Sequence, residues 1–314
     1  MPEPVLDNPN LDDLISSDTY VPKGDEEAAL IEPVLTAPPA VVTRTFATYT
    51  ELHLPARTGS GVAPQTIMPE TSPLRTLSDA AVGSFGDQTL ELIIGNDDRK
   101  KVPDASELPW RKIAALVITS QSGSQYAGTA CFISPRVLLT AGHCVFLHDA
   151  GGFAKKIEVI PAWGNNKQPF GKYEATLFKA SNGWVNDRNS DYDYGIIILD
   201  EDAHPSIGWF AFAAASDEHL NQQIVNVCGY PHDPDKWPNQ YYHAREIDRS
   251  SKHKIYYTAD STGGQSGAGL WLTLGETERV IVGIHTTGSS TTNFGTRITE
   301  PMFNNFKRVK DEYQ

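Results

Sequence analysis

The chain is short of cysteine, of clustered basic residues and of long apolar runs. Three cysteines in 314 residues, Cys131, Cys144 and Cys228, cannot all pair with one another, so a disulfide scaffold is excluded and at most one bridge closes. No stretch approaches the roughly 18 consecutive apolar residues of a membrane-spanning helix. The opening MPEPVLDNPN lacks the basic start and apolar run of a secretory signal, so the chain reads as soluble with no visible export signal. Lys and Arg form no cluster larger than the Arg99–Lys101 triplet and the formal charge is −13, which argues against nucleic acid or an anionic membrane as partner. His148, His204, His219, His232, His243 and His253 are scattered without metal-ligand spacing, and GNNKQPFGK lacks the phosphate-loop spacing. Neither a metal nor a nucleotide cofactor is expected.

The acidity is uneven. Residues 1–91 carry fourteen Asp or Glu against four Lys or Arg, of 39 and 26 in the whole chain, leaving 25 against 22 beyond. Eleven prolines from Pro2 to Pro73 break this first part, which has little sustained hydrophobic period and reads as a loosely ordered leader. From about residue 92 the texture changes to short runs rich in Val, Ile, Tyr and Thr between Gly, Pro, Asn and Asp: IAALVIT, ACFISPRVLLTA, DYGIIIL, QIVNVCGY, KIYYTA, AGLWLTL and RVIVGIH. That pattern predicts an all-β antiparallel sandwich or barrel. Thr299, Glu300 and Pro301 then open a C-terminal helix whose Met302, Phe303, Phe306 and Val309 recur at helical spacing.

Three segments carry chemistry. LLTAGHCV sets His143 directly after an apolar strand, where a turn can hold the imidazole and leave it reachable. DYDYGIIIL sends the Asp193 carboxylate into an apolar strand; burying it is costly unless it is hydrogen-bonded, and an imidazole N–H is a suitable donor. DSTGGQSGAGLW surrounds Ser266 with glycines that free the backbone, so that successive N–H groups can converge on one point. Each alone has a plain reading: a packed histidine, a strand-capping aspartate, a turn. Together they predict a nucleophile (Ser266), a general base (His143) and an orienting acid (Asp193), with an oxyanion hole from the N–H groups of Gly264 and Ser266. The order His, Asp, Ser departs from the α/β-hydrolase order, and Ala268 stands where G-x-S-x-G would need its second glycine.

TAGHC, DYG and GGQSG in this order resemble the chymotrypsin-like serine peptidases, and within them the glutamyl endopeptidases of the staphylococcal V8 and bacillary type. IIGNDDRKKV is similar to the mature start of those enzymes and VGIHTTG to their specificity segment; the likeness spans roughly residues 92–300. It implies two six-stranded antiparallel β-barrels followed by the helix, with a propeptide at 1–91 and a protease domain at 92–314. It also implies that a histidine and hydroxyl groups, here His285, Ser261 and Thr286, bind an acidic side chain before the scissile bond. Gln265 replaces the aspartate that pairs with a new N-terminus in digestive relatives, so that activation route does not carry over.

Glu91 immediately precedes Leu92, and cleavage between them would release the leader and start the mature chain at LIIGNDDR. The resemblance further implies a Cys131–Cys144 disulfide around the His143 hairpin, two buried thiols being the alternative, and leaves Cys228 a buried thiol. The resulting expectation is a secreted, monomeric serine endopeptidase zymogen acting on proteins or peptides. Three alternatives stay open: another primary preference on the same fold, a silent protease-like binding protein, and a leader with a separate interaction role.

Overall fold

The computed structural model describes residues 10–22, 78–81, 84, 93–94, 96–233, 235–274, 278–288 and 291–313. The expected processing site, Glu91 and Leu92, lies outside the described residues. The period-two runs of the sequence become strands, and they form two large sheets.

The main path of the first, nine-stranded sheet comprises β1 (Leu14–Ser16), β2 (Ile113–Thr119), β3 (Gln125–Phe132), β4 (Val137–Thr140), β5 (Lys156–Pro161), β6 (Tyr173–Ala175), β7 (Leu177–Ser181) and β8 (Gly195–Ile198). Their order is β1-β7-β8-β4-β3-β2-β5-β6, with every one of these pairings antiparallel. The second has eight strands, the short Lys100–Lys101 and Ala211–Phe212 and six longer ones: β9 (Ile224–Gly229), β10 (Tyr241–Ser250), β11 (Lys254–Tyr257), β12 (Gly269–Leu274), β13 (Glu278–Gly288) and β14 (Asn293–Arg297). These six run β13-β12-β9-β10-β11-β14, and a further β13–β14 pairing closes them into the expected six-stranded barrel. Closure removes the free edges that an open sheet of this length would expose. The first sheet has more strands than the six expected: seven lie within residues 113–198, and Leu14–Ser16 and Ser78–Asp79, the latter pairing parallel with β3, add two more.

One apolar core fills the first barrel and runs between the barrels through Cys228, Tyr230, Trp271, Ile281 and Ile284, while a smaller one fills the second around Val227, Tyr257 and Leu270. Among the helices of the described residues, three bear on the site: α1 (Gly142–Val145), α2 (Asn182–Asp187) and α3 (Glu300–Glu312). Helix α3 is capped by Thr299, whose hydroxyl accepts from Met302 N, and it buries the predicted Met302, Phe303, Phe306 and Val309. Phe306 meets Tyr194 edge-on at 5.7 Å, which fixes the helix against the strand that begins next to Asp193.

Residues 10–22 are ordered against the first sheet. Strand β1 pairs with β7, Leu14 opposite Ser181 and Ser16 opposite Lys179. The Tyr194 hydroxyl donates to Asp12 O at 3.0 Å, Asn305 Nδ2 donates to the same carbonyl at 2.6 Å, and Asn182 N donates to Asp13 O at 2.6 Å. Tyr20 packs edge-on against Phe146 and Phe153 at 5.3 and 5.4 Å. A three-residue strand has no periodicity of its own; the exposed edge of β7 orders it.

Candidate active site

His143 sits in α1, one turn beyond the end of β4, and Asp193 just before β8, its hydrogen-bonded neighbour in the sheet. The two residues meet twice. His143 Nδ1 lies 2.7 Å from Asp193 Oδ2, and the His143 backbone N–H donates to Oδ1 at 2.9 Å. Gly142 makes this approach possible: a Cβ there would fall 2.8 Å from the Trp184 ring and 2.9 Å from Asp193 Oδ1. Both side chains have no solvent-exposed surface. Burial disfavours the imidazolium, but the Asp193 charge outweighs it and holds the His143 pKa well above the ordinary histidine value. Burial likewise works against the carboxylate, yet His143, its backbone N–H and the Lys254 ammonium keep Asp193 below the usual range.

Lys254 is a residue the sequence reading missed. It is buried beneath Asp193, its Nζ donating to Ser190 O and, at 3.4 Å, to Thr296 Oγ1, which itself donates to Asp193 O at 3.2 Å. Burial lowers its pKa to about 8 against the pull of Asp193. No motif signals this lysine; only the fold brings β11 under the turn that carries Asp193.

The Ser266 loop is fixed by backbone contacts to both barrels. Gly264 and Gly267 have φ of +92° and +88°, the left-handed region open to glycine. A Cβ at Gly267 would lie 2.2 Å from both Thr129 O and Thr140 Oγ1, and one at Gly264 would lie 2.5 Å from Tyr230 O. Thr129 in β3 is a second missed residue: its N–H donates to Ser266 O at 2.9 Å and its hydroxyl to Gly264 O at 2.8 Å while accepting from Tyr230 N at 3.0 Å. Gly267 N donates to His285 O, and His285 N to Ala268 O, each at 2.8 Å, so the loop and the VGIHTTG strand share a short ladder.

His285 is buried, its Nδ1 in a short hydrogen bond with the Tyr257 hydroxyl. Ser261 and Thr286 are also buried, and Ser261 Oγ and Thr286 Oγ1 have no hydrogen-bond partner among the described residues. Buried polar atoms are nearly always satisfied, so unsatisfied hydroxyls mark a place built to receive something. His143, Ser266 and His285 all have zero exposure, contrary to the reachable imidazole expected from sequence.

The expected disulfide is absent: Cys131, Cys144 and Cys228 are buried free thiols. Their sulfurs serve different partners. Cys131 Sγ accepts from Gly269 N at 3.3 Å, at the start of the second barrel's β12, whereas Cys144 Sγ donates to Ser266 O at 3.5 Å. Burial pushes the Cys131 thiol up to about 12 and Cys228 well above its ordinary value, which leaves neither a nucleophile.

A double barrel with a serine loop facing a histidine–aspartate pair is the architecture of a chymotrypsin-like serine peptidase. Residues 101–305 match the Trypsin family, and the chain belongs to it as a serine endopeptidase acting on protein or peptide substrates. The glutamyl endopeptidase of Bacillus licheniformis is 31% identical over 233 residues, covering 72% of this chain and 71% of its own. A Bacillus subtilis (strain 168) protein named extracellular metalloprotease is 31% identical over 223 residues, covering 70% and 71%. The solved structure of a Glu endopeptidase aligns with TM-score 0.63 at 26% identity, over 70% of this chain and all of its own length. These likenesses set the chain within the V8-like group of serine peptidases.

Proposed function

We propose that the chain is the zymogen of a secreted endopeptidase that cleaves after glutamate, or aspartate, through Ser266, His143 and Asp193. The observation that carries this reading is the two-point bond between His143 and Asp193, which leaves the imidazole one orientation. With Nδ1–H held by the carboxylate, Nε2 is the nitrogen available to take the Ser266 proton as Oγ attacks the scissile carbonyl. The developing oxyanion is stabilised by the N–H groups of Gly264 and Ser266. His143 then protonates the leaving amine, and water hydrolyses the acyl-enzyme by the same route in reverse.

The acidic preference rests on His285, Ser261 and Thr286. An imidazole set among polar groups with spare hydrogen-bonding capacity suits a carboxylate, and one of the relatives is itself a glutamyl endopeptidase. The zymogen reading rests on the acidic leader at 1–91 and on Ser266, His143 and His285 having no exposed surface, so a substrate needs the site to open first. A glutamate-preferring enzyme could itself cut between Glu91 and Leu92. The extracellular name of one relative agrees with secretion. No nucleic-acid, membrane or cofactor requirement enters the mechanism, and a monomer suffices for it.

The metalloprotease name of that relative motivates a second reading, a metal held by Asp98, His243 and Asp260, whose ligand atoms cluster among the described residues. These residues do not fit a metal. Asp260 accepts from Ile94 N and Asp98 N, His243 Nδ1 accepts from Asp260 N, and the Arg245 guanidinium sits 2.9 Å from Asp98 Oδ2. The donors are already committed, partly to a cation of the protein's own.

The test is to incubate the purified chain and its Ser266→Ala variant, sequence the N-terminus of the products over time, and assay the product on peptides varying the residue before the cut. Maturation to LIIGNDDR by the wild type alone, followed by cleavage after glutamate, is the expected result. A matured wild type that cleaves nothing would sink the catalytic reading in favour of a silent scaffold.

A further inference from the structure

The position that carries an activating carboxylate in digestive relatives holds Gln265 here, yet that side chain is not left to itself. Arg99, seven residues beyond Leu92, places a guanidinium of 1% exposure against the turn that precedes Ser266. Its Nη1 donates to Gln265 Oε1 at 3.3 Å, to Thr262 Oγ1 at 2.5 Å and to Asp233 Oδ2 at 3.1 Å. Its Nε and Nη2 take both oxygens of Asp97 at 2.9 Å. The turn itself is closed by Gln265 N to Thr262 O at 3.1 Å, and Gln265 Oε1 accepts a second time from Thr262 N at 3.1 Å. Behind it, Asp260 accepts from Ile94 N at 2.8 Å and Asp98 N at 3.0 Å. Ile94, Asp98 and Arg99 therefore strap the 260–265 turn at two points, one at each end.

We propose that Arg99 is a positioning residue for the oxyanion hole, acting through Gln265 and Thr262, and that it supplies from within the chain the cation a free N-terminus supplies in digestive relatives. The inference rests on the reading of Gly264 and Ser266 as oxyanion donors. The peptide units carrying those two N–H groups lie within or next to the Thr262–Gln265 turn, so a rotation of the Gln265 side chain tilts them. Donors for a developing charge must be aimed before the reaction, and a small tilt is costly in rate. A guanidinium is suited to this task because its planar fork reaches Gln265, Thr262, Asp97 and Asp233 at once; a lysine keeps the charge and loses the fork. With two carboxylates and two neutral acceptors around it, the side chain has one arrangement that satisfies every partner.

The strap also sits where maturation would act. Cleavage after Glu91 would leave Arg99 in the first eight residues of the mature chain, tying the new N-terminal segment to the nucleophile loop.

The experiment compares wild type, Arg99→Gln, Arg99→Lys, Gln265→Ala and the Arg99→Gln/Gln265→Ala double variant, each made as the full chain and allowed to process. Steady-state constants on an amide substrate with glutamate before the cut are measured beside the melting temperature and the rate of Ser266 labelling by a fluorophosphonate. The expected result is a fall in kcat of about 10- to 100-fold for both Arg99 variants, with KM within about threefold and labelling slowed in parallel. Gln265→Ala should show the same split, and the double variant should be no slower than the worse single one, because both act on one turn. Wild-type kcat in Arg99→Lys, multiplicative losses in the double variant, or a loss appearing in KM alone would each overturn the proposal. If Arg99→Gln does not fold, Gln265→Ala decides, and wild-type kcat there overturns it. A wild type that the fluorophosphonate does not label removes the serine mechanism itself and this inference with it, a failure distinct from a labelled wild type whose Arg99 variants are labelled equally fast.

Discussion

Glycine at 142 and 267 is required by neighbours from other elements. At Gly267 the obstacle is backbone, Thr129 O at 2.2 Å from an added Cβ, with φ at +88°, so nothing can yield cheaply. Gly267→Ala is expected to destabilise the chain by more than about 3 kcal/mol in denaturant unfolding. At Gly142 the obstacle is side chain, not backbone: the Trp184 ring at 2.8 Å and the Asp193 carboxylate at 2.9 Å from an added Cβ. Gly142→Ala should therefore lower kcat by at least about tenfold through displaced orientation of His143, while melting only a few degrees lower. Thr129→Val keeps the shape but strands Gly264 O and Tyr230 N without the hydroxyl, at about 1–3 kcal/mol for each buried group left unpaired.

The titration of His143 belongs to the same scale. Its folded pKa is raised above the ordinary value by Asp193. The ion pair therefore stabilises the fold fully below the unfolded histidine value of about 6.5 and progressively less as pH rises through the folded value. In Ser266→Ala, the His143 ring should titrate by NMR above about 6.5, and Asp193→Asn should bring it down. An unchanged midpoint in Asp193→Asn would show that the carboxylate is not the cause.

Among the elements, strand β1 and helix α3 do related work. Both close on Tyr194, whose hydroxyl is held by Asp12 and whose ring is held by Phe306, and Tyr194 is the residue after Asp193. Removing residues 1–22 takes away the β1 ladder and leaves the Tyr194 hydroxyl, the Asn182 N–H and the β7 edge without these partners. The truncated chain is expected to melt several degrees lower and to expose the 177–181 segment to hydrogen exchange; an unchanged protection pattern there would mean that the docked leader adds nothing to the barrel. Helix α3 was legible in the sequence because its cap and its three- and four-residue spacing are local signals. Strand β1 was not, because what orders it is remote in sequence: the β7 edge, the buried Tyr194 some 180 residues away, and Asn182 and Asn305.

For the whole molecule, the three free thiols separate this chain from the disulfide its resemblance implied. Cys131 and Cys144 flank the same hairpin, but Cys131 faces the β12 start and Cys144 the Ser266 carbonyl, so each is a packed group at the junction of the barrels. Melting should be the same with and without reductant, and non-reducing electrophoresis of alkylated protein should find three modifiable thiols once the chain is unfolded. A shift of melting temperature on reduction would restore the bridge.

By itself the sequence determined the class of fold and the class of enzyme. Alternating apolar runs dictate strands, and His143, Asp193 and Ser266 stand in an order and glycine context that few other arrangements share, because catalytic geometry needs particular residue types at strand ends. What only the tertiary structure decided is how that geometry is held. Thr129, Lys254 and Arg99 touch the site from segments remote in sequence from the residues they hold, and each looks like an ordinary polar residue in its own neighbourhood. Their roles come from burial: a hydroxyl, an ammonium or a guanidinium deprived of water must take the partner the fold brings to it, and the fold brings these to the catalytic loops.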